Sequence, residues 1–123
     1  MIYYAHSMRK YGTAEEEKEL QKIKELFPNH EVINPSNFPP GKGRKVMKPY
    51  FELIDECDFV VFSEFKGFIG RGVYREINYA KKNNKKSILL RNGKALEIEG
   101  LIINDENDWA INFAKIKEKQ WYV

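Results

Sequence analysis

The chain has 123 residues, a length that suits one domain with a core of ordinary size and is too short for two. Its hydrophobic content of 42% is typical of a globular protein, and no run approaches the roughly 20 apolar residues of a membrane span or the pattern of a signal peptide. We therefore expect a single cytoplasmic domain over residues 1–123 with no membrane partner. The net charge of +3 is mild and compatible with a phosphorylated small molecule as a partner.

The few cysteine and histidine residues narrow the possible chemistry. Cys57 is the only cysteine, so an internal disulfide is excluded, and its apolar surroundings (DECDFVVF) predict a buried hydrophobic side chain rather than a nucleophile. His6 and His30 stand far apart and have no carboxylate or thiol companions at ligand spacing. We expect neither a metal site nor a cofactor.

Short apolar runs rich in β-forming residues alternate with segments of helical periodicity. The runs lie at residues 2–5, 32–33, 59–62, 88–90 and 101–103, and the helical segments at about 13–27, 47–56, 71–83 and 107–118. This alternation predicts an α/β fold with a three-layer, doubly wound parallel sheet of five strands in the flavodoxin-like order 2-1-3-4-5. In such a sheet the loops after strands one and three lie side by side at the carboxyl ends of the strands, where ligands bind.

Capping and spacing predict how the helices pack. Thr13 and Glu16 form a capping-box pattern at the start of the first helix, and Pro49 is tolerated in the first turn of the second. The residues that we expect to face the sheet are Leu20, Ile23 and Phe27 in the first helix, Phe51, Leu53 and Ile54 in the second, and Trp109, Phe113 and Ile116 in the last. The stretch NPSNFPPGKGRK before the second helix is predicted to be a long loop.

The loop after strand one, HSMRKYGT, has the composition of an anion site. It brings the Ser7 hydroxyl, the Arg9 guanidinium and several backbone amides to the amino end of a helix, where the dipole and free N–H groups favour a phosphate or carboxylate. The alternative is that Ser7 only hydrogen-bonds the turn and Arg9 is solvated. His6 either lines the site or is hydrogen-bonded at the strand end, which is the commoner role.

The segment after strand three, SEFKGFIGRGVYREINYAKK, combines a glycine-rich loop with an acidic residue on an apolar helix face. Gly70 and Gly72 allow close approach of the backbone, although this spacing is weak evidence for a dinucleotide. At about 100° per residue, Glu76 falls beside the stripe of Val73, Ile77 and Ala80. Burying a carboxylate is costly, so its position predicts a nucleophile at the crevice; the alternative is a structural pairing with an arginine or an amide.

These motifs, in their order and spacing, resemble the nucleoside 2-deoxyribosyltransferase superfamily, and within it the deoxynucleoside 5′-monophosphate N-glycosidases. The resemblance covers about residues 1–90. It implies that Ser7-Met8-Arg9 holds a 5′-phosphate and that Glu76, in Gly72-Val73-Tyr74-Arg75-Glu76, attacks the anomeric carbon. We also expect His6, Gly70 and Gly72 to line the substrate site. The resemblance further implies that the protein is a homodimer or larger homo-oligomer.

Two positions depart from the family pattern. Tyr50 stands where the family commonly has an Asp on the second helix, and Gly70 where it commonly has Asp or Ser. Tyr50 or Glu52 could take over a catalytic role. Hydrolysis is favoured over base exchange because a phosphate anchor suits a nucleotide. The alternative function is a nucleotide-binding or sensing module that keeps the phosphate loop without turnover.

Two further segments have open interpretations. The basic stretch GKGRKVMK, residues 41–48, would suit nucleic-acid binding, but neighbouring aromatic residues are sparse and the net charge is low, so we expect a solvated or substrate-capping loop and no nucleic-acid partner. Trp121 and Tyr122 either cover a neighbouring site, pack in an oligomer interface or belong to a frayed tail.

Overall fold

The computed structural model describes residues 1–38, 47–67, 69–102 and 110–120. Within these ranges the chain forms seven strands and three α-helices. The strands are β1 (Ile2–Ala5), β2 (Val32–Ile33), β3 (Phe59–Phe62), β4 (Ile69–Gly70), β5 (Ser87–Arg91), β6 (Lys94–Ile102) and β7 (Ala110–Gln120). The helices are α1 (Ala14–Leu26), α2 (Lys48–Asp55) and α3 (Arg71–Lys82). None of these helices is long and apolar enough to cross a membrane.

Four parallel strands form the centre of the sheet in the order β2-β1-β3-β5. In the register of the central pair, Ile2 lies opposite Phe59 and Ala5 opposite Phe62, so β1 and β3 end at the same edge. The α/β class and the order of the first four predicted strands are therefore confirmed. The loops that follow β1 and β3 leave the sheet side by side, as the prediction requires.

Helices cover both faces of this parallel core. Because side chains alternate along a strand, Tyr4 packs on one face with Ile23 of α1 and with Phe27, which follows that helix. Tyr3 packs with residues of α2 and α3 on the other face. The predicted inward residues Ile54, Val73, Ile77 and Ala80 are all buried on the second face. Cys57 is buried there too, as predicted, and burial raises the pKa of its thiol to about 11.

The prediction for the last third of the chain is wrong. A fifth parallel strand was expected at residues 101–103, but the chain turns back at Asn92 and Gly93 and β6 runs antiparallel to β5. Both turn residues have positive φ, 52° and 73°, which is the conformation of a two-residue hairpin with the Asn-Gly sequence. The full order is β2-β1-β3-β5-β6-β7-β4 rather than 2-1-3-4-5.

The predicted last helix, residues 107–118, is also incorrect. Its described part belongs to β7, which pairs antiparallel with β6 and, at its start, with β4. The alternating lysines Lys115, Lys117 and Lys119 fit a strand period, which competed with the helical spacing that the prediction used. Trp109, Trp121 and Tyr122 lie outside the described residues, as does most of the basic stretch at 41–48.

Candidate functional site

Glu76 lies in the second turn of α3 and is only 6% exposed. It shares the buried side of the helix with Val73, Ile77 and Ala80, so the predicted sheet-facing position is confirmed. The helix starts at Arg71, and its apolar stripe packs on the sheet beside Tyr3 and Phe62. A carboxyl group is thus placed in the core at the side of the sheet that α2 and α3 cover.

The hydroxyl of Tyr3 donates a hydrogen bond to Oε2 of Glu76 in the protein interior. Burial raises the pKa of Glu76 to about 8, against the hydrogen bond from Tyr3, which lowers it. The carboxyl is therefore mostly protonated at neutral pH. Burial, followed by the nearby charge of Glu76, raises the pKa of Tyr3 far above its ordinary value, so Tyr3 remains a hydroxyl donor.

Two further tyrosines belong to the surroundings of Glu76. Tyr50 is buried on α2, and Tyr11, half-buried, lies in the first loop. Burial is the larger cause that raises the pKa of each, and the charge of Glu76 is the next. Sequence reasoning singled out Tyr50 and Glu76 but missed Tyr3 and Tyr11; the alternation of β1, which turns Tyr3 toward α3, was the signal for one of them.

The helix face that carries Glu76 has an open position one turn earlier. A methyl group built at Gly72 meets no atom of the described residues within 4 Å. Gly70, in extended backbone with φ −81°, stands at the N-cap of α3 and supplies no side-chain cap. The start of α3 is therefore open at Gly72, one turn before Glu76.

Ser7 caps a short 3-10 helix formed by Met8–Lys10. Its Oγ accepts a hydrogen bond of 3.2 Å from the backbone N–H of Arg9, so the turn-forming role considered for Ser7 is present. A hydroxyl that accepts this bond still has its own proton to donate. Ser7 can therefore stabilise the turn and contribute one donor to an anion.

Arg9 connects the first loop with the loop after β3. Its side chain is exposed, and Cζ lies 5.8 Å from the centre of the Phe65 ring. The Nζ atom of Lys66 lies 5.4 Å from the same centre. The two loops that the sequence placed at the switch point do meet, and two cations share one aromatic ring where they do.

His6 is hydrogen-bonded at the end of β1, which is the commoner of the two roles expected for it. It is 3% exposed, stacks on Tyr4 with ring centres 3.8 Å apart, and its Nδ1 donates to the carbonyl oxygen of Tyr4 at 3.0 Å. Its Nε2 lies 2.6 Å from Glu16. Burial works to raise the pKa of Glu16, but the bonds from His6 and the Gly12 N–H outweigh it and leave that pKa below its usual value.

Comparison of the chain with protein-family models, with curated proteins and with solved structures found no match. Among the described residues, no three His, Cys, Asp or Glu side chains are grouped so that they could hold a metal ion.

A buried lysine that the sequence did not single out ties the first loop to the sheet. Lys10 is 1% exposed; its Nζ donates to Glu19 on α1 at 3.0 Å and to the hydroxyl of Ser63, just after β3, at 3.0 Å. Ser63 and Tyr4 in turn donate to Oε1 of Glu19 at 2.7 and 2.5 Å. This network fixes the loop that carries Ser7 and Arg9 against the end of β3.

Proposed function

We propose that the protein cleaves or transfers at the N-glycosidic bond of a nucleoside or nucleoside 5′-monophosphate, with Glu76 as the nucleophile. The observation that carries the proposal is the buried carboxyl of Glu76, which accepts a hydrogen bond from Tyr3 beside the open position at Gly72. The resemblance of the motifs to the deoxyribosyltransferase superfamily supports the same assignment. Structural acids are rarely buried in this way without a paired cation.

In the proposed reaction the ionised carboxylate of Glu76 attacks the anomeric carbon of the sugar. A C–O ester bond forms as the C–N glycosidic bond breaks, and the base leaves with the electron pair and takes a proton from Tyr50 or water. Water then hydrolyses the ester, which releases the sugar and restores Glu76. Transfer would result if a second base took the place of that water.

Tyr3 has two effects on this nucleophile. It binds Oε2, so Oε1 is the oxygen that would attack, and its hydrogen bond favours the ionised form. With a pKa near 8, roughly a tenth of the carboxyl is ionised at pH 7. The positive charge that develops on the sugar in the transition state would stabilise the anion at the moment it is needed.

Ser7 and Arg9 would hold a 5′-phosphate at the other side of the site. The exposed guanidinium of Arg9 and the hydroxyl of Ser7 lie on one short loop. The hydrogen bond from Lys10 to Ser63 fixes the position of that loop. Arginine binds phosphate with two parallel hydrogen bonds, which orients the substrate as well as attracting it. A phosphate anchor favours a nucleotide substrate, and therefore hydrolysis over base exchange.

We place this activity in the cytoplasm and in a homodimer or larger homo-oligomer, as the resemblance implies. The partner is a small nucleoside or nucleotide rather than a nucleic acid. Analytical ultracentrifugation of the purified chain tests the oligomer directly, since a monomer at micromolar concentration would contradict this part of the proposal.

Release of free base is the test of the function. The parent protein and Glu76→Gln are incubated with a panel of nucleosides and their 5′-monophosphates, and free base is separated by chromatography. We expect release by the parent and a loss of more than about a thousandfold in Glu76→Gln. Glu56→Gln, which removes the same charge from an exposed position at the end of α2, is the matched control and should equal the parent.

Arg9→Ala adds a second arm to this experiment. Its KM should rise chiefly for the phosphorylated substrates, with kcat little changed, because Arg9 contacts the phosphate in both ground and transition states. The proposal fails if no substrate yields free base, or if Glu76→Gln releases base as fast as Glu56→Gln.

The second candidate function is a nucleotide-binding or sensing module without turnover. The raised pKa of Glu76 favours it, because a neutral carboxyl is a poor nucleophile and a good hydrogen-bond donor. Tyr50, in place of the acid that the resemblance leads one to expect, points the same way. Nucleotide binding without released base, unchanged by Glu76→Gln, would support this function over the first.

A further inference from the structure

We propose that Phe65 is a positioning residue for Arg9, and that Lys66 is the second cation of the same anion site, whose ligand is the phosphate monoester of a sugar. This inference rests on the phosphate-binding role given to Arg9 in the proposed function. Two cations contact the same ring. Cζ of Arg9 lies 5.8 Å and Nζ of Lys66 lies 5.4 Å from the centre of the Phe65 ring.

Phe65 follows two residues whose side chains are hydrogen-bonded to other parts of the fold. Glu64, the preceding residue, accepts a hydrogen bond of 2.7 Å from Nε of Arg91 at the end of β5. Ser63, one residue earlier, is 2% exposed and is bonded to Lys10 and Glu19. The backbone before Phe65 is therefore held from two sides, and the ring is a support rather than a mobile cover.

Arg9 supplies the more exposed side chain of this contact. Its side chain is exposed and long, and ordering such a side chain on binding costs affinity. A guanidinium that lies over an aromatic ring keeps its in-plane N–H donors available while its rotamers are restricted. Phe65 would thus lower the cost of bringing Arg9 to a phosphate.

Lys66 occupies a backbone conformation that lysine seldom adopts. Its φ is 53°, in the left-handed region that glycine and asparagine prefer, and Gly67 follows with φ 82°. This turn directs the chain back immediately after Phe65. It brings an exposed ammonium group to the ring that Arg9 reaches from the first loop, so each loop contributes one cation to the surroundings of Phe65.

Binding of a sugar phosphate tests the inference without any need for turnover. Affinity for 2-deoxyribose 5-phosphate is measured by calorimetry for the parent, Phe65→Leu, Phe65→Tyr and Lys66→Met, with 2-deoxyribose as the uncharged counterpart. We expect Phe65→Leu and Lys66→Met each to weaken sugar phosphate binding by about two- to fivefold. Phe65→Tyr, which keeps the ring, should stay within about twofold of the parent.

Two controls distinguish a positioning role of Phe65 from a general loss of structure in the variants. Lys82→Met removes an exposed lysine at the end of α3 and should leave affinity unchanged. In an Arg9→Ala background, Phe65→Leu should have no further effect, because Phe65 acts through Arg9. A structural role for Phe65 would instead weaken binding equally in both backgrounds, and that result would overturn the inference.

The outcomes distinguish this inference from the proposed function. If the parent binds 2-deoxyribose 5-phosphate with the expected effect of Phe65→Leu but releases no base, the function fails and the inference stands. If the parent releases base while Phe65→Leu binds the sugar phosphate as the parent does, the inference fails alone. A parent that does not bind the sugar phosphate at millimolar concentration also overturns it.

Discussion

Tyr3 and Glu76, 73 positions apart in the sequence, meet in a buried hydrogen bond between β1 and α3. The contact joins the first strand, whose carboxyl end leads into the Ser7–Arg9 loop, to the helix that follows the glycine-rich segment. A donor fixed on a central strand gives the carboxyl one orientation and moderates the effect of burial on its pKa. The acid is thus held in place and close to ionisation at the same time.

The first prediction concerns the stability of Glu76→Gln as a function of pH. The pKa of this carboxyl is raised from 4.5 to about 8 by burial, so the folded state binds more protons than the unfolded state between these values. Its stabilising contribution is complete below about pH 4.5 and is lost as the pH rises toward 8. The parent should lose up to about 1.4 kcal/mol per pH unit within this window from this group alone.

Glu76→Gln removes that dependence because the amide does not titrate. Urea unfolding at pH 5, 6, 7 and 8 should show that the variant becomes more stable relative to the parent with each step. Glu52→Gln, at an exposed position, should run parallel to the parent. A constant difference between parent and Glu76→Gln across this range would mean that the carboxyl titrates normally.

The second prediction is that Tyr3→Phe moves the pH profile of base release upward. The hydrogen bond from Tyr3 lowers the pKa of Glu76, so its removal leaves burial unopposed and the pKa rises further. For a nucleophilic Glu76, kcat/KM should increase with pH through about 8 in the parent and through a value about one unit higher in Tyr3→Phe. A decrease with rising pH would instead identify Glu76 as a proton donor.

The position of Glu76 could be predicted from the sequence because it depends on local geometry alone. The helical period fixes which face a residue occupies once Val73, Ile77 and Ala80 define the apolar side. Its partner could not be predicted in the same way. The hydrogen bond with Tyr3 depends on where α3 packs along β1, and this is a property of the tertiary structure. The same holds for Lys10 and Ser63, 53 positions apart, whose hydrogen bond joins two loops that only the folded sheet brings together.

The structure of the chain after β5 could not be predicted from short sequence patterns alone. The sequence RNGK contains an Asn-Gly hairpin signal, which conflicts with continued alternation of strands and helices past β5. At residues 110–120 the apolar spacing fits a helix and the alternating lysines fit a strand. Pairing with β6, which a periodicity argument does not include, decides between them.

The third prediction concerns the buried charge of Lys10. Lys10→Met keeps the apolar stem but leaves the largely buried carboxylate of Glu19 without its cation, so we expect a loss of about 2–4 kcal/mol in the free energy of unfolding. Lys18→Met, at an exposed position on α1, should change stability by less than about 0.5 kcal/mol. Urea unfolding measures both variants.

Adding Glu19→Gln to Lys10→Met should recover part of the loss, because the stranded charge is then removed as well. If Lys10→Met proves as stable as Lys18→Met, the network does not hold the first loop. The support that the proposed phosphate site receives from it would then be absent.

The fourth prediction separates stability from binding at Gly72. Since a methyl group there meets no described atom within 4 Å and the position is helical, Gly72→Ala should leave stability unchanged or raise it by up to about 1 kcal/mol. The same methyl group occupies the open side of the helix one turn before Glu76. We therefore expect KM for base release to rise, with thermal unfolding and steady-state kinetics as the two measurements.

Gly93→Ala should have the opposite combination of effects, a loss of stability without a change in KM. Gly93 has φ 73° in the turn between β5 and β6, where the added methyl group would also lie 3.3 Å from the side chain of Lys22. Stability should fall by about 1–2 kcal/mol while KM stays at the parent value, because Lys22 belongs to α1, which covers the opposite face of the sheet from α3. A Gly72→Ala protein that is as stable as the parent and binds its substrate equally well would show that the substrate approaches Glu76 from another side.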